Sequence, residues 1–293
     1  MRYKVAFLGT PKFAALILEK LIGTNFEPKL IITGQDQKSD RSLALKANSV
    51  KLAAQKHNIA ISYKLADLDG SFDLAILVAY GKIIPDNILS LPKYGFVNVH
   101  PSLLPKYRGP SPITSAILNG DKYTGVTLIV LDSELDHGPQ IAQQEVEIAD
   151  DDTHTTLSQK LANLGSKLLI RTLPEYLAEN ITPEPQNHNV GTYTEKITKD
   201  SGKIDFNNPP DKLTLNCMIR AYFPWPSVWF ELDGKRFKLL PGTITDSPTH
   251  RLTNSPLLIQ PEGKRPMTLG EFKNGYPQLN DKLKPVIENK AQS

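Results

Sequence analysis

The chain has 293 residues, 40% of them hydrophobic and 22% charged, so it is long enough for two moderate domains and for a core that needs no covalent staples. Its single cysteine, Cys217, excludes an internal disulfide and a cysteine-built metal site. No run approaches the roughly 20 apolar residues that span a bilayer, and nothing resembles a signal peptide, so a cytoplasmic protein is expected. The net charge of +3 is uneven: from Lys196 onward there are 15 Lys and Arg against 10 Asp and Glu, while residues 1–195 carry 19 against 21. A basic C-terminal part hints at a polyanionic partner.

The first elements read β-α-β. Lys4–Leu8 is a short apolar strand, Gly9-Thr10-Pro11 a turn, and Phe13–Leu21 places Phe13, Leu16, Ile17 and Leu21 on one helical face. Lys29–Thr33 is a second strand. That order predicts a parallel sheet covered by helices. Gly9 stands alone, without the further glycines of a dinucleotide fingerprint, which excludes that cofactor reading. Gly34–Ser49 is polar and irregular, and a loop of such length is expected to be functional or disordered. A helix follows around Val50–His57, then a short strand at Ile59–Tyr63. Leu74–Val78 is a continuous apolar run, the signature of a strand buried on both faces, and Gly125–Asp132 is a later strand.

Between those two strands lies Gly95–Pro112, the most informative stretch. Phe96, Val97 and Val99 favour a strand, whose alternation puts Asn98 and His100 on one side. Pro101 ends any ladder, and a loop rich in proline follows. An amide and an imidazole thus stand together at a strand's end, backed by stiff chain. Ligands of open α/β sheets bind beyond the carboxyl ends of strands, where Gly9, Gly81, His100 and Asp132 all fall.

Asp132-Ser133-Glu134-Leu135-Asp136-His137-Gly138-Pro139 is a second candidate. It lacks the turn glycine and the bidentate glutamate of a calcium loop, so no metal is expected. Beyond Ala149, Asp152-Thr153 caps a long helix, Thr155–Leu177. Ile181–Val190 is rich in Pro, Asn and Glu and reads as a linker. Trp229–Leu232 and Arg236–Leu240 flank Asp233-Gly234-Lys235, a hairpin signal, and strand-like pieces recur at Gly242–Thr245 and Leu257–Gln260. A small β-barrel-like domain is expected there.

Asn98-Val99-His100-Pro101-Ser102-Leu103-Leu104-Pro105 closely resembles the active-site segment of the 10-formyltetrahydrofolate-dependent formyltransferases. Leu135-Asp136-His137-Gly138 resembles the Leu-Asp-x-Gly of their catalytic aspartate. The resemblance extends over nearly the whole chain. It includes Gly9–Ala14, Val78–Pro85, Thr192–Ile197, Ile204-Asp205-Phe206 and Ile219–Pro226, the last three similar to the C-terminal module of the branch that formylates methionyl-tRNA. It implies an α/β fold with a Rossmann-like, doubly wound, mostly parallel sheet over residues 1–180, a linker at 181–200 and an OB-like β-barrel over 201–293. It implies Asn98, His100 and Asp136 as catalytic residues. Folate would lie against Ser102, Leu103, Leu104 and Pro105 and against Val78, Tyr80, Gly81 and Ile83. The implied formyl donor is 10-formyltetrahydrofolate, without a metal. The implied acceptor is initiator methionyl-tRNA, met by Lys38, Arg41, Lys46, Lys203, Arg220, Lys235 and Arg236, on an enzyme acting as a monomer. Pro101 stands where many of these enzymes have glycine. A formyltransferase for a small amine, such as an amino-sugar nucleotide, and a non-catalytic RNA- or folate-binding protein are the alternatives.

Overall fold

The computed structural model describes residues 3–39, 42–205, 208–242 and 257–279. They form two compact units, one of Met1–Pro112, Tyr123–Val146 and Ser158–Glu195, the other of Ile113–Lys122, Glu147–Leu157 and Lys196–Ser293. Residues 181–195, expected to be part of a linker, thus belong with the first unit, and their hydrogen bonds show why (below).

The first unit is built on a seven-stranded sheet. Its strands are β1 (Val5–Gly9), β2 (Pro28–Ile32), β5 (Ala60–Ser62), β6 (Leu74–Val78), β7 (Phe96–His100), β8 (Tyr123–Val130) and β9 (Gln140–Glu147). They lie in the order β5-β2-β1-β6-β7-β8-β9. The pairs β2–β5, β1–β2, β1–β6 and β6–β7 are parallel, and β7–β8 is antiparallel. β1, β6 and β7 are buried along their whole length, as the continuous apolar runs require. The chain leaves β1 towards β2 and β5, then returns to place β6 on the other side of β1. That reversal opens a crevice at the carboxyl ends of β1 and β6, the usual ligand position in such sheets. β9 was not legible in the sequence, because its exposed polar residues alternate with half-buried ones and only Ile141 is buried.

Helix α1 (Lys12–Leu21) follows β1 and buries Phe13, Ala14, Ile17, Leu18 and Leu21. Helix α2 (Ser49–Lys56) is capped by Asn48, whose side chain accepts from the Lys51 N–H. The segment expected to be irregular before α2 contains an antiparallel pair instead, β3 (Gln37–Ser39) with β4 (Ser42–Lys46). Its apolar alternation, Leu43 and Leu45, is too short to stand out among charged neighbours.

In the second unit, strands β10 (Val228–Leu232), β11 (Lys235–Leu240), β12 (Leu258–Pro261) and β13 (Met267–Thr268) form an antiparallel meander. The β10–β11 turn is the Asp233-Gly234 pair, with φ of 50° and 72°, the left-handed geometry for which Asp-Gly is suited. The expected piece at Gly242–Thr245 lies outside the described residues from 243 on. A helix at Lys212–Ala221, unseen in the sequence, packs Leu215 and Ile219 against Val228, Phe230, Phe237, Leu239 and Phe272. Among the described residues no helix is long and apolar enough to cross a membrane.

Gly9 closes β1 against β6. A Cβ there would lie 2.7 Å from Ala14 Cβ and 2.8 Å from the Val78 carbonyl oxygen. Gly9→Ala is therefore expected to cost about 1–3 kcal/mol by overpacking, measured as a lower urea midpoint with an unchanged slope.

Candidate active site

β7 supplies the first two functional groups. Asn98 and His100 are 5% and 4% exposed, which is unusual for an amide and an imidazole in a mostly hydrophobic sheet. What compensates their burial is Asp136, 38 residues later in sequence. The Asn98 amide nitrogen donates to Asp136 Oδ1 at 3.0 Å, and His100 Nδ1 lies 3.5 Å from the same oxygen. The Gly109 N–H donates to Asp136 Oδ2 at 2.8 Å. The three residue types expected to act together therefore meet in one place.

Burial pushes the Asp136 carboxyl up. The His100 ring, by charge and hydrogen bond, the Gly109 N–H and the Arg108 charge pull it the other way, and together they hold it below the usual aspartate range. Asp136 is thus a fixed negative charge at neutral pH. His100 Nε2 bonds the Tyr107 carbonyl oxygen at 2.9 Å. Both ring nitrogens face oxygens that accept, so the ring is locked in orientation. Asn98 commits one amide hydrogen to Asp136 and keeps a second for another acceptor.

The segment Tyr107-Arg108-Gly109 provides two of these partners from its backbone, and was not assigned a role from the sequence. Tyr107 and Gly109 have φ of 64° and 104°, and Asp136 itself has φ of 50°. Residues 186–194 hold this loop. The Arg108 N–H donates to the Thr192 carbonyl and the Thr194 N–H to the Arg108 carbonyl, both at 2.8 Å, while the Tyr107 N–H donates to Thr192 Oγ1. Nothing in the composition of that stretch distinguishes such a strap from a linker.

Beside the three residues is a cavity of about 580 Å³. Its wall is formed by Pro11, by Ala79–Ile84 after β6, by Asn98–Pro101, by Gly109 and Pro110, and by Leu131–Asp136. Tyr80, Gly81 and Ile83 are at the wall as expected, and the buried Tyr80 hydroxyl has no hydrogen-bond partner among the described residues. Val78 is buried in β6 and does not line this cavity. Ser102, Leu103, Leu104 and Pro105 also stand outside its lining, because they are tied to the far strands. Thr127 Oγ1 donates to the Ser102 carbonyl and accepts from the Leu104 N–H, and Gln140 and Gln143 both donate to the Leu104 carbonyl. Among the described residues no group of three or more potential metal ligands occurs.

The expected basic contacts fare differently. In the second unit, Arg236 lies over the Trp229 ring at 4.2 Å and pairs with Glu231, and the Lys203 ammonium is 5.4 Å from the same ring. Lys235 is exposed at the start of β11. Arg220 is spent internally, donating to Asn216 Oδ1 and the Asp152 carbonyl. Lys46 is exposed at the end of β4. Lys38 lies on β3, and Arg41 falls outside the described residues.

Residues 3–173 match the family described as formyl transferase, and residues 196–253 match the formyl transferase C-terminal domain. The chain belongs to the formyltransferase family. A methionyl-tRNA formyltransferase of Thermodesulfovibrio yellowstonii is 38% identical, covering 92% of this chain and 95% of that protein. One of Lactobacillus gasseri is 36% identical with the same coverages. Among solved structures, the N-formyltransferase of Helicobacter canadensis in complex with folinic acid and dTDP-3-aminofucose has a TM-score of 0.63 at 21% identity, covering 88% of this chain and 95% of that one. HypX of Aquifex aeolicus in complex with tetrahydrofolic acid has a TM-score of 0.60 at 15% identity, covering 97% of this chain and 48% of that one. These two share the formyltransferase fold.

The loop that carries Asp136 has no slack at Gly138, where a Cβ would overlap the Val130 carbonyl oxygen. Gly138→Ala is expected to destabilise the protein by about 1–3 kcal/mol or to displace the loop, seen as a lowered urea midpoint.

Proposed function

We infer that this formyltransferase moves the formyl group of 10-formyltetrahydrofolate to the free amino group of methionyl-initiator tRNA. The carrying observation is identity of 35–38% over 92–94% of the chain to methionyl-tRNA formyltransferases, joined to a buried amide–imidazole–carboxylate cluster on the wall of a cavity. The amine attacks the formyl carbon and a tetrahedral oxyanion builds up. The folate N10 then leaves with a proton, giving an N-formyl amide and tetrahydrofolate.

Each residue has a part that follows from its environment. The second amide hydrogen of Asn98 is placed to meet the oxyanion, and the His100 ring stabilises it at close range. Asp136 holds both groups in orientation. A carboxylate kept below its usual range is a weak proton acceptor, so it passes the amine proton on through water rather than retaining it. The pterin takes the cavity, against Tyr80, Gly81 and Ile83, with the Tyr80 hydroxyl as an available hydrogen-bonding group. A role for Ser102, Leu103, Leu104 and Pro105 at the folate rests on the family resemblance alone, through backbone groups. Val78 supports the loop from within the sheet.

The tRNA is assigned to the basic C-terminal part, residues 201–293, through phosphate contacts of Lys203, Lys235 and Arg236. Such contacts carry little sequence information and weaken with salt. Lys46 and, on the same resemblance, Lys38 and Arg41 are assigned to the acceptor end. Arg220 keeps its internal role.

Purified protein with 10-formyltetrahydrofolate should formylate methionyl-tRNA and leave amino-sugar nucleotides unmodified; the reverse preference would replace this reading with the small-amine one. Asn98→Ala should lower kcat about 100-fold or more, and no transfer to any amine by the native chain would favour a binding protein. Lys235→Ala should raise KM for tRNA, with a shallower salt dependence and an unchanged KM for the folate.

A further inference from the structure

Asp136 has a left-handed backbone, with φ of 50°, a region uncommon outside glycine and better tolerated by Asp than by most residues. One side chain bonds the backbone on both sides of the residue that follows. The Gln186 amide nitrogen donates to the Asp136 carbonyl at 2.9 Å and to the Gly138 carbonyl at 2.8 Å, clamping the loop on both sides of His137. Gln186 is 5% exposed, and its own oxygen accepts from Arg108 Nε at 3.2 Å and Nη2 at 2.7 Å. These bonds fix which end of the amide faces the carbonyls, since only the oxygen end can accept from a guanidinium.

Arg108 is 2% exposed, and its guanidinium also meets His188 Nδ1 at 2.9 Å and the Tyr193 hydroxyl at 3.3 Å. A buried guanidinium is costly unless its donors are used. Here it is retained in the residue between the Tyr107 carbonyl, which orients His100, and the Gly109 N–H, which orients Asp136. A charge-assisted bond from Arg108 therefore locks the amide that locks the carboxylate's backbone.

We propose that Gln186, oriented by Arg108, is a positioning residue of formyl transfer: it holds the Asp136–Gly138 backbone so that the carboxylate reaches Asn98 and His100 together. Gln186 touches neither the cavity nor the reacting atoms, so its effect falls on the chemical step. The assignment rests on Asp136 being catalytic, and the test separates the two.

The test is steady-state transfer from 10-formyltetrahydrofolate to methionyl-tRNA by the full chain and by Asp136→Asn, Gln186→Leu and Gln186→Glu, across pH. Gln186→Glu keeps the acceptor for Arg108, and with it the packing of the strap, but loses both N–H donors. Both Gln186 variants should lose about 10–100-fold in kcat, with KM for each substrate within about twofold of the native value. The acid limb of their kcat profile should move to higher pH, because a carboxylate drawn away from His100 and Gly109 loses the groups that hold its pKa down. Native kcat and an unmoved acid limb in Gln186→Glu would overturn the proposal, as would a loss confined to KM. If Gln186→Leu fails to fold, Gln186→Glu alone decides. Native kcat in Asp136→Asn would instead overturn the catalytic reading of Asp136.

Discussion

One buried carboxylate is the constraint on which the site depends. Asp136 accepts from Asn98 and from the Gly109 N–H and faces His100, so the amide, the ring and the proline-rich loop are all positioned from one charge. A polar group at 4–5% exposure has little water to fall back on, and each missing partner would cost about 1–3 kcal/mol. The cluster is therefore cooperative: the residues that would act on a formyl carbon are those whose burial requires one another. Water is excluded by the same burial, which strengthens each electrostatic interaction that a developing oxyanion would meet.

The sheet explains why these groups meet. β7 is the last parallel strand and pairs on its other edge with antiparallel β8, with His100 opposite Thr127. β8 ends beside the amino end of β7, with Val130 opposite Val97 and the Leu131 N–H donating to the Phe96 carbonyl, and the loop that follows runs back so that Asp136 meets Asn98 and His100 at the carboxyl end. The crevice created by the β1–β6 reversal opens at that end. Fold and chemistry are thus linked by topology, and Gly138 and Gly9 mark where backbone approaches too closely for any side chain.

The sequence disclosed those features that are local. Phe96–His100, Leu74–Val78 and the Asp233-Gly234 turn follow from alternation, apolar continuity and turn chemistry, and each is present where the pattern placed it. The convergence of Asn98, His100 and Asp136 was readable through family resemblance, since 36 residues or more separate the aspartate from the other two. What stayed hidden depends on long-range hydrogen bonds. The 186–194 segment has the composition of a linker and acts as a strap, because its partners lie about 50 to 85 residues away. The Ser102–Pro105 loop looked like a wall of the ligand site, yet Thr127, Gln140 and Gln143 draw it towards β8 and β9. No propensity or periodicity encodes such pairings.

Asp136 stays ionised in the interior because His100, the Gly109 N–H and Arg108 outweigh its burial. The most direct test is a carboxyl-carbon NMR titration of Asp136 in the ligand-free protein, assigned by comparison with Asp136→Asn. The expected midpoint lies below the usual aspartate value of about 3.9. A midpoint at or above that value would mean that burial outweighs His100, Gly109 and Arg108, and would contradict this.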